Sequence, residues 1–213
     1  MRKKVAIVDY ELSNLFSVLQ ACHYVGLDAI ITNKIDEIKN ADAIILPGVG
    51  AYGVAMEKLK KLNLVNTLVD VANSERPFLG ICLGMQLLFS RSSEFGDNNG
   101  LDIIQGDILG FNSIENKLLK IPQIQWNTIS HSNKKSWDKT IFQNIPNYTY
   151  MYFVHSYYCM PKTESQILSK TVYGGFEYVS AIQQRNVIGV QFHPEKSSKY
   201  GLQIYENFSN MIN

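Results

Sequence analysis

Cysteine is scarce in this chain. Only Cys22, Cys82 and Cys159 occur, an odd number with no metal-type spacing. That argues against a disulfide-stapled secreted scaffold and against a zinc site. Excess charge is also missing, with 20 Lys plus Arg against 19 Asp plus Glu, which removes the main sequence-level case for a nucleic acid or an anionic membrane as partner. No apolar run approaches the roughly 20 residues of a membrane helix. The basic start, MRKKVAIVDY, carries an apolar run of only about five residues before Asp9, too short for a signal peptide; it reads as a first buried strand. Disorder and fibrous repeats are excluded by a composition 46% hydrophobic and 18% charged. With no repeat, linker or low-complexity tract, residues 1–213 are expected to form one domain of a cytoplasmic globular enzyme or binding protein.

What is present is alternation. Lys4 to Asp9 is strand-like, and Leu15, Val18, Leu19, Cys22 and Val25 then recur at helical spacing up to Gly26. Asp28 to Thr32 and Ala43 to Leu46 predict two more strands, followed by a Pro47-Gly48 turn and helices to about Asn73. Pro77 to Ile81 predicts a fourth strand, and Leu83 to Phe89 has helical spacing. Short, doubly apolar strands between helices predict an α/β fold with a parallel sheet covered on both faces. From Leu101 to Ser180 the pattern changes to short β-like segments and turns, an added antiparallel section. Val187 to Phe192 predicts a late buried strand and Ser198 to Ile212 a final amphipathic helix.

Gly80-Ile81-Cys82-Leu83-Gly84 places a thiol between a strand and a helix, with glycine two residues away on each side. Glycines there let neighbouring backbone approach a tight turn. The helix terminus beneath the side chain favours the thiolate and offers free N–H groups to a developing oxyanion. An isolated Cys is usually a small core residue, and Cys22 and Cys159 keep that reading. For Cys82 the glycine frame points to a nucleophile.

His193-Pro194-Glu195 follows the strand VIGVQF. Pro194 biases His193 toward extended geometry, in which residues two apart share a side, so Glu195 can reach the ring. A general base needs that second hydrogen bond to fix its tautomer. Cys82, His193 and Glu195 therefore form a Cys-His-Glu proposal. His23 and His131 read as surface or structural residues; His155, in an aromatic run, reads equally as packing or as substrate lining. Pro47-Gly48-Val49-Gly50, at the same end of the sheet as the elbow, lacks both phosphate-loop patterns and fits oxyanion service better.

PGVG, GICLGMQ, YFVHSY and GVQFHPEKS, in this order and spacing, resemble the class I (triad) glutamine amidotransferases over essentially the whole chain. Among these the chain is most similar to the glutaminase subunits of imidazole glycerol phosphate synthase, through PGVG, YFVHSY and the IP-x-I-x-WN stretch. The resemblance implies a flavodoxin-like doubly wound sheet and hydrolysis of glutamine to glutamate and ammonia without a cofactor or metal. Cys82 would form a γ-glutamyl thioester; His193, oriented by Glu195, would protonate the leaving ammonia and activate water. Leu83 and the Gly48-Val49-Gly50 segment would supply the oxyanion donors. Gln86, Ser156 and Tyr157 would hold the glutamine, with His155 beside them. Ammonia would pass to a separate (βα)8 cyclase subunit of histidine biosynthesis, which makes imidazole glycerol phosphate and aminoimidazole carboxamide ribonucleotide; Asn14, Trp126, Tyr152 and Lys196 match positions at or near that contact.

Two segments depart from the family pattern. D-Y-G-x-G-N-L appears with Glu11, Leu12 and Ser13 after Asp9-Tyr10, and P-H-x-G-W-N appears with Gln123 and Gln125. Both lie on the partner side in the family. They leave the triad intact and open a second reading, a paralogous glutaminase feeding a sugar-amidating synthase of surface-glycan biosynthesis. A non-catalytic module that kept the fold is opposed by the intact triad. A freestanding γ-glutamyl hydrolase would need no partner.

Overall fold

In the first strand, β1 (Lys4–Val8), Val5 and Ile7 join one hydrophobic cluster while Ala6 and Val8 join another. Successive side chains of a strand point to opposite faces, so a strand buried at every position from Val5 to Val8 lies between two covering layers. The computed structural model describes residues 3–12, 14–114, 119–132 and 136–212. After β1 the strands are β2 (Asp28–Thr32), β3 (Ala43–Gly48), β4 (Phe78–Cys82), β5 (Phe89–Ser92), β6 (Asn98–Asn99), β7 (Ile104–Gly110), β8 (Gln123–His131), β9 (Thr149–His155), β10 (Tyr157–Pro161), β11 (Ile167–Tyr173), β12 (Phe176–Gln184) and β13 (Val187–Val190). The helices are α1 (Leu15–Tyr24), α2 (Ile35–Lys39), α3 (Tyr52–Lys61), α4 (Leu64–Ala72), α5 (Leu83–Leu87) and α6 (Ser198–Met211).

Strands β2, β1, β3, β4 and β13 lie side by side and parallel, in that order. This is the flavodoxin-like doubly wound arrangement, whose ligands gather beyond the carboxyl ends of the strands. Helices α1 and α6 bury Val18, Cys22, Ile204, Tyr205 and Phe208 in the first cluster; α3 and α4 bury Tyr52, Met56, Leu59 and Leu68 in the second. Each such side chain contributes about 1.5–3 kcal/mol relative to exposure. Beyond β13 the sheet turns antiparallel through β12, β10 and β7, and the β8–β9 ribbon joins through β11. Register puts Gly48 beside Cys82 and Val190 beside Ile81, so three strand ends converge on one place. Among the described residues no helix is long and apolar enough to cross a membrane.

The expected elements are present, with shifts that have physical causes. Strand β3 runs on through Pro47 and Gly48 because those residues pair with Ile81 and Cys82. Helix α5 stops at Leu87, and Phe89, expected as helical, opens β5 instead. A short, wholly apolar run does not separate buried helix from buried strand. Helix α2 lacks a sequence signal of its own at five residues, too short for a period to show. The departure at Ser13 lies outside the described residues.

Helix α5 approaches β3 so closely that a Cβ on Gly84 would fall on the carbonyl oxygen of Leu46. Gly84→Ala should therefore destabilise the fold by at least about 2 kcal/mol. A melting curve checks this; unchanged melting would show that α5 is free to move away.

Candidate active site

Cys82 ends β4 with φ +54° and ψ −111°, a left-handed backbone in a residue that carries a Cβ. Such a conformation costs about 1–3 kcal/mol and persists only where the surroundings enforce it. Here the enforcement is packing. Gly84 presses on Leu46, and a Cβ on Gly80 would sit 2.9 Å from the Gly84 carbonyl and the Met85 amide. The elbow leaves the thiol 5% exposed, with Sγ 3.7 Å from the carbonyl of Val154 and 3.7 Å from the side-chain nitrogen of Gln191. Leu83 begins α5, so its N–H is a first-turn amide without an intrahelical acceptor.

His193 follows β13, and its N–H donates to the Tyr152 carbonyl at 2.9 Å. Ser197 Oγ donates to the His193 carbonyl at 2.6 Å and accepts from the Tyr152 amide at 3.0 Å, tying this segment to β9. His193 is extended, as its proline neighbour requires, but Pro194–Lys196 then forms a single 3-10 turn. Glu195 therefore reaches the ring through a turn rather than through strand alternation. Its Oε1 lies 2.8 Å from His193 Nδ1, with the two side chains 2% and 6% exposed. Nδ1 is thereby the nitrogen held by the carboxylate, and Nε2 remains for the thiol. Burial alone would push the imidazolium pKa down. The Cys82 sulfur and then the Glu195 carboxylate outweigh it and raise His193 above an ordinary imidazole.

A cavity of about 200 Å³ opens above the thiol, lined by Val49, Gly50, Cys82, Leu83, Gln86, Glu94, Pro122, Val154, His155, Ser156 and Tyr157. This is small beside drug-sized sites and suits a ligand of amino-acid size. The structure thus gathers Val49, Gly50, Leu83, Gln86, His155, Ser156 and Tyr157 around Cys82, with Gly48 beside Cys82 in the sheet. One expected donor faces elsewhere: the Val49 N–H donates to the Leu12 carbonyl at 2.8 Å. That N–H belongs to the Gly48–Val49 peptide, which turns through ψ of Gly48 and φ of Val49, and glycine at 48 gives the rotation its freedom. Glu94 lines the cavity without a sequence signal. It follows β5 in a loop, and its carboxylate accepts from the Tyr52 amide at 2.5 Å. Burial raises its pKa, and the Tyr52 N–H opposes that rise.

His155 lines the cavity with both ring nitrogens engaged. Nδ1 is 2.8 Å from the Tyr157 carbonyl and Nε2 3.2 Å from the Tyr178 hydroxyl, which lies 3.0 Å from Gln123 Oε1. The ring also packs on Phe111 and Phe153. Burial is the largest influence and pushes its pKa down to about 4, so the ring is neutral near pH 7. Its position is that of an organiser of the wall. Cys22 and Cys159 are buried packing residues, and burial raises both thiols. His23 bonds the Ala29 carbonyl and His131 stacks on Trp137, both structural placements.

Trp126 and Tyr152 face each other across the β8–β9 ribbon, rings 5.9 Å apart, with Lys196 Nζ 6.0 Å from the Tyr152 ring. Asn14 is exposed at the start of α1. Trp126 is 46% exposed, and Ile124 and Tyr150 extend the same ribbon face. The described departures lie in two segments, Glu11 and Leu12 between β1 and α1, and Gln123 and Gln125 in β8, where they alternate with Ile124 and Trp126. Glu11 adopts φ +67° and pairs with Lys58 at 2.5 Å, Gln123 is fully buried against the Tyr178 hydroxyl, and Gln125 is exposed.

Residues 6–211 match the family model "Glutamine amidotransferase class-I". The imidazole glycerol phosphate synthase subunit HisH of Chlorobaculum tepidum is 42% identical over 205 residues, covering 96% of this chain and 98% of that protein. The HisH subunit of Sulfurimonas denitrificans is 40% identical over 210 residues, covering 98% and 99%. Among solved structures, PurLQS from Thermotoga maritima aligns with a TM-score of 0.72 at 18% identity, covering 100% of both chains. The glutaminase domain of CTPS from Trypanosoma brucei gives 0.59 at 16%, covering 98% of this chain and 93% of that one. At such identities the two structures speak for the fold alone.

His155 gives the fold a pH dependence. Its folded pKa lies below the unfolded value, so its contribution is fully present above about pH 6.5 and is lost as the pH falls toward 4. Urea midpoints at pH 7 and pH 5 should show wild type losing about 2 kcal/mol more than His155→Asn, which has no proton to bind. Equal losses would show that His155 takes up its proton without cost.

Proposed function

The chain belongs to the class-I glutamine amidotransferase family and is an enzyme acting on the glutamine amide, and on that footing we propose a complete reaction path for residues 1–213 read as one glutaminase domain. The observation that carries it is the buried His193–Glu195 bond beside a thiol held on a strained elbow in the wall of an amino-acid-sized cavity. The Cys82 thiolate attacks the side-chain amide carbon of glutamine, and negative charge passes to the carbonyl oxygen. The Leu83 N–H meets that oxygen; the second donor comes from the Gly48–Gly50 turn once the Val49 peptide releases Leu12. His193 then gives its proton to the departing nitrogen, leaving a γ-glutamyl thioester and ammonia. Neutral His193 next removes a proton from water, the hydroxide attacks the thioester, and glutamate leaves as the thiolate–imidazolium pair re-forms. Glu195 keeps Nδ1 protonated throughout and stabilises the imidazolium. Gln86, Ser156 and Tyr157 hold the substrate, and the Glu94 carboxylate faces its α-ammonium.

The relatives are named as subunits of imidazole glycerol phosphate synthase. We assign this chain the same work: a cytoplasmic glutaminase subunit of histidine biosynthesis, heterodimeric with a (βα)8 cyclase that makes imidazole glycerol phosphate and aminoimidazole carboxamide ribonucleotide. Ammonia must travel enclosed, because bulk water would convert it to non-nucleophilic ammonium. The Trp126–Tyr152–Lys196 surface and Asn14 form the contact. Leu12, which holds the Val49 amide, lies in the segment leading to Asn14, so docking there can free the oxyanion donor and stimulate hydrolysis. The departures at Glu11, Leu12, Gln123 and Gln125, in segments that face the partner in the family, carry a second reading, a paralogous glutaminase feeding a synthase of different acceptor such as a sugar.

Glutamine hydrolysis measured with and without the candidate cyclase and its ribonucleotide substrate should rise on complex formation; a partner whose acceptor is a sugar would sink the histidine assignment. Cys82→Ala should abolish glutamine-dependent synthesis and leave synthesis from ammonium salts intact, whereas loss of both would make Cys82 structural. Glu195→Gln should slow kcat less than His193→Asn; equal losses would remove the orienting role from Glu195.

A further inference from the structure

The sulfur of Cys82 lies at the end of a buried run of amides whose direction is fixed. Gln86 Nε2 is 3.1 Å from the carbonyl oxygen of Tyr157 and 3.0 Å from Gln191 Oε1, and Gln191 Nε2 is 3.7 Å from Cys82 Sγ. An amide's oxygen and nitrogen are assigned by their partners, and here the assignment starts from a group that can only accept. The Tyr157 carbonyl requires Gln86 to present its NH2. The second hydrogen of that NH2 requires Gln191 to present its oxygen. Gln191 must then turn its own NH2 toward the sulfur. His155 Nδ1, 2.8 Å from the same Tyr157 carbonyl, keeps the starting acceptor in place. Gln191 is fully buried, Gln86 is 6% exposed, and the Gln191 main-chain N–H is pinned to the Ser180 carbonyl at 2.9 Å. The Gln86–Gln191 and Gln191–Cys82 contacts are therefore shielded from water.

We infer that Gln191 is a positioning residue for the nucleophile: its side-chain N–H donates to Cys82 Sγ, stabilises the thiolate and fixes the direction from which it attacks. The inference rests on the reading of Cys82 as nucleophile and adds a role outside the Cys-His-Glu set. Among the described residues, His193, Tyr10 and Cys159 each interact electrostatically with the sulfur. Burial raises Tyr10 and Cys159 and keeps them neutral, so His193 is the charge opposite the thiolate and Gln191 is a fixed dipole beside it. A hydrogen bond to an ionised acceptor is about twice as strong as one between neutral groups, so the donor favours thiolate over thiol.

The test is the pH profile of Cys82 alkylation by iodoacetamide, followed by peptide mapping so that Cys22 and Cys159 are counted separately, alongside kcat and KM for glutamine. Gln191→Met keeps the volume and removes the donor. It should move the alkylation midpoint up by about one pH unit and lower kcat roughly tenfold, with KM within about twofold of wild type. A role in packing alone would leave the profile where it is. Should Gln191→Met fail to fold, Gln86→Met decides, because it removes the amide that directs Gln191 and leaves Gln191 itself in place; its midpoint should move the same way. A wild-type alkylation profile in a folded Gln191→Met, or in Gln86→Met, overturns the inference. Glutamine hydrolysis surviving Cys82→Ala would instead overturn the nucleophile assignment, so the two failures are distinct.

Discussion

The contact of Gly84 with the Leu46 carbonyl is the constraint on which the rest of the site depends. It lets α5 lie against the end of β3, and with Gly80 against the same helix the chain has no relaxed path between strand and helix. Cys82 takes up the strain at φ +54°. That single residue then stands beyond the strand end, over the first turn of a helix, beside the turn in which β3 ends. Parallel pairing of β4 with β13 delivers His193 to the same place from a segment more than a hundred residues away in sequence.

Burial then sets the electrostatics. The His193–Glu195 pair is almost inaccessible, which makes an unpartnered charge expensive and a matched set of charges stable. The positive ring is retained because sulfur and carboxylate flank it. His155, equally buried but bonded to a carbonyl and a hydroxyl, is held neutral. The neighbours of these two buried histidines thus push them in opposite directions, His193 toward the charged ring and His155 toward the neutral one.

The parallel half of the fold was legible in the sequence because doubly buried strands carry unbroken apolar runs, as in Val5–Val8 and Ala43–Leu46. The Cys82 elbow and the His193–Glu195 pair were legible because their chemistry demands particular residues at fixed local spacing. Glu94 was not: it meets the cavity through a loop after β5, and a lone carboxylate in a polar stretch carries no periodic mark. Nor was the 3-10 turn at Pro194, since a proline fits both an extended segment and the first residue of a turn. The engagement of the Val49 amide by Leu12 is a tertiary contact between main-chain groups, which side-chain identity does not encode.

Of the three cysteines, Cys82 alone combines a strained elbow, a place in the cavity wall and a neighbouring histidine. The most direct measurement treats the protein with a chloroketone analogue of glutamine and maps the modified peptide. Modification of Cys82 only, prevented by glutamine, is the predicted result. Modification of Cys22 or Cys159, or continued glutamine hydrolysis after Cys82 is fully modified, would contradict it.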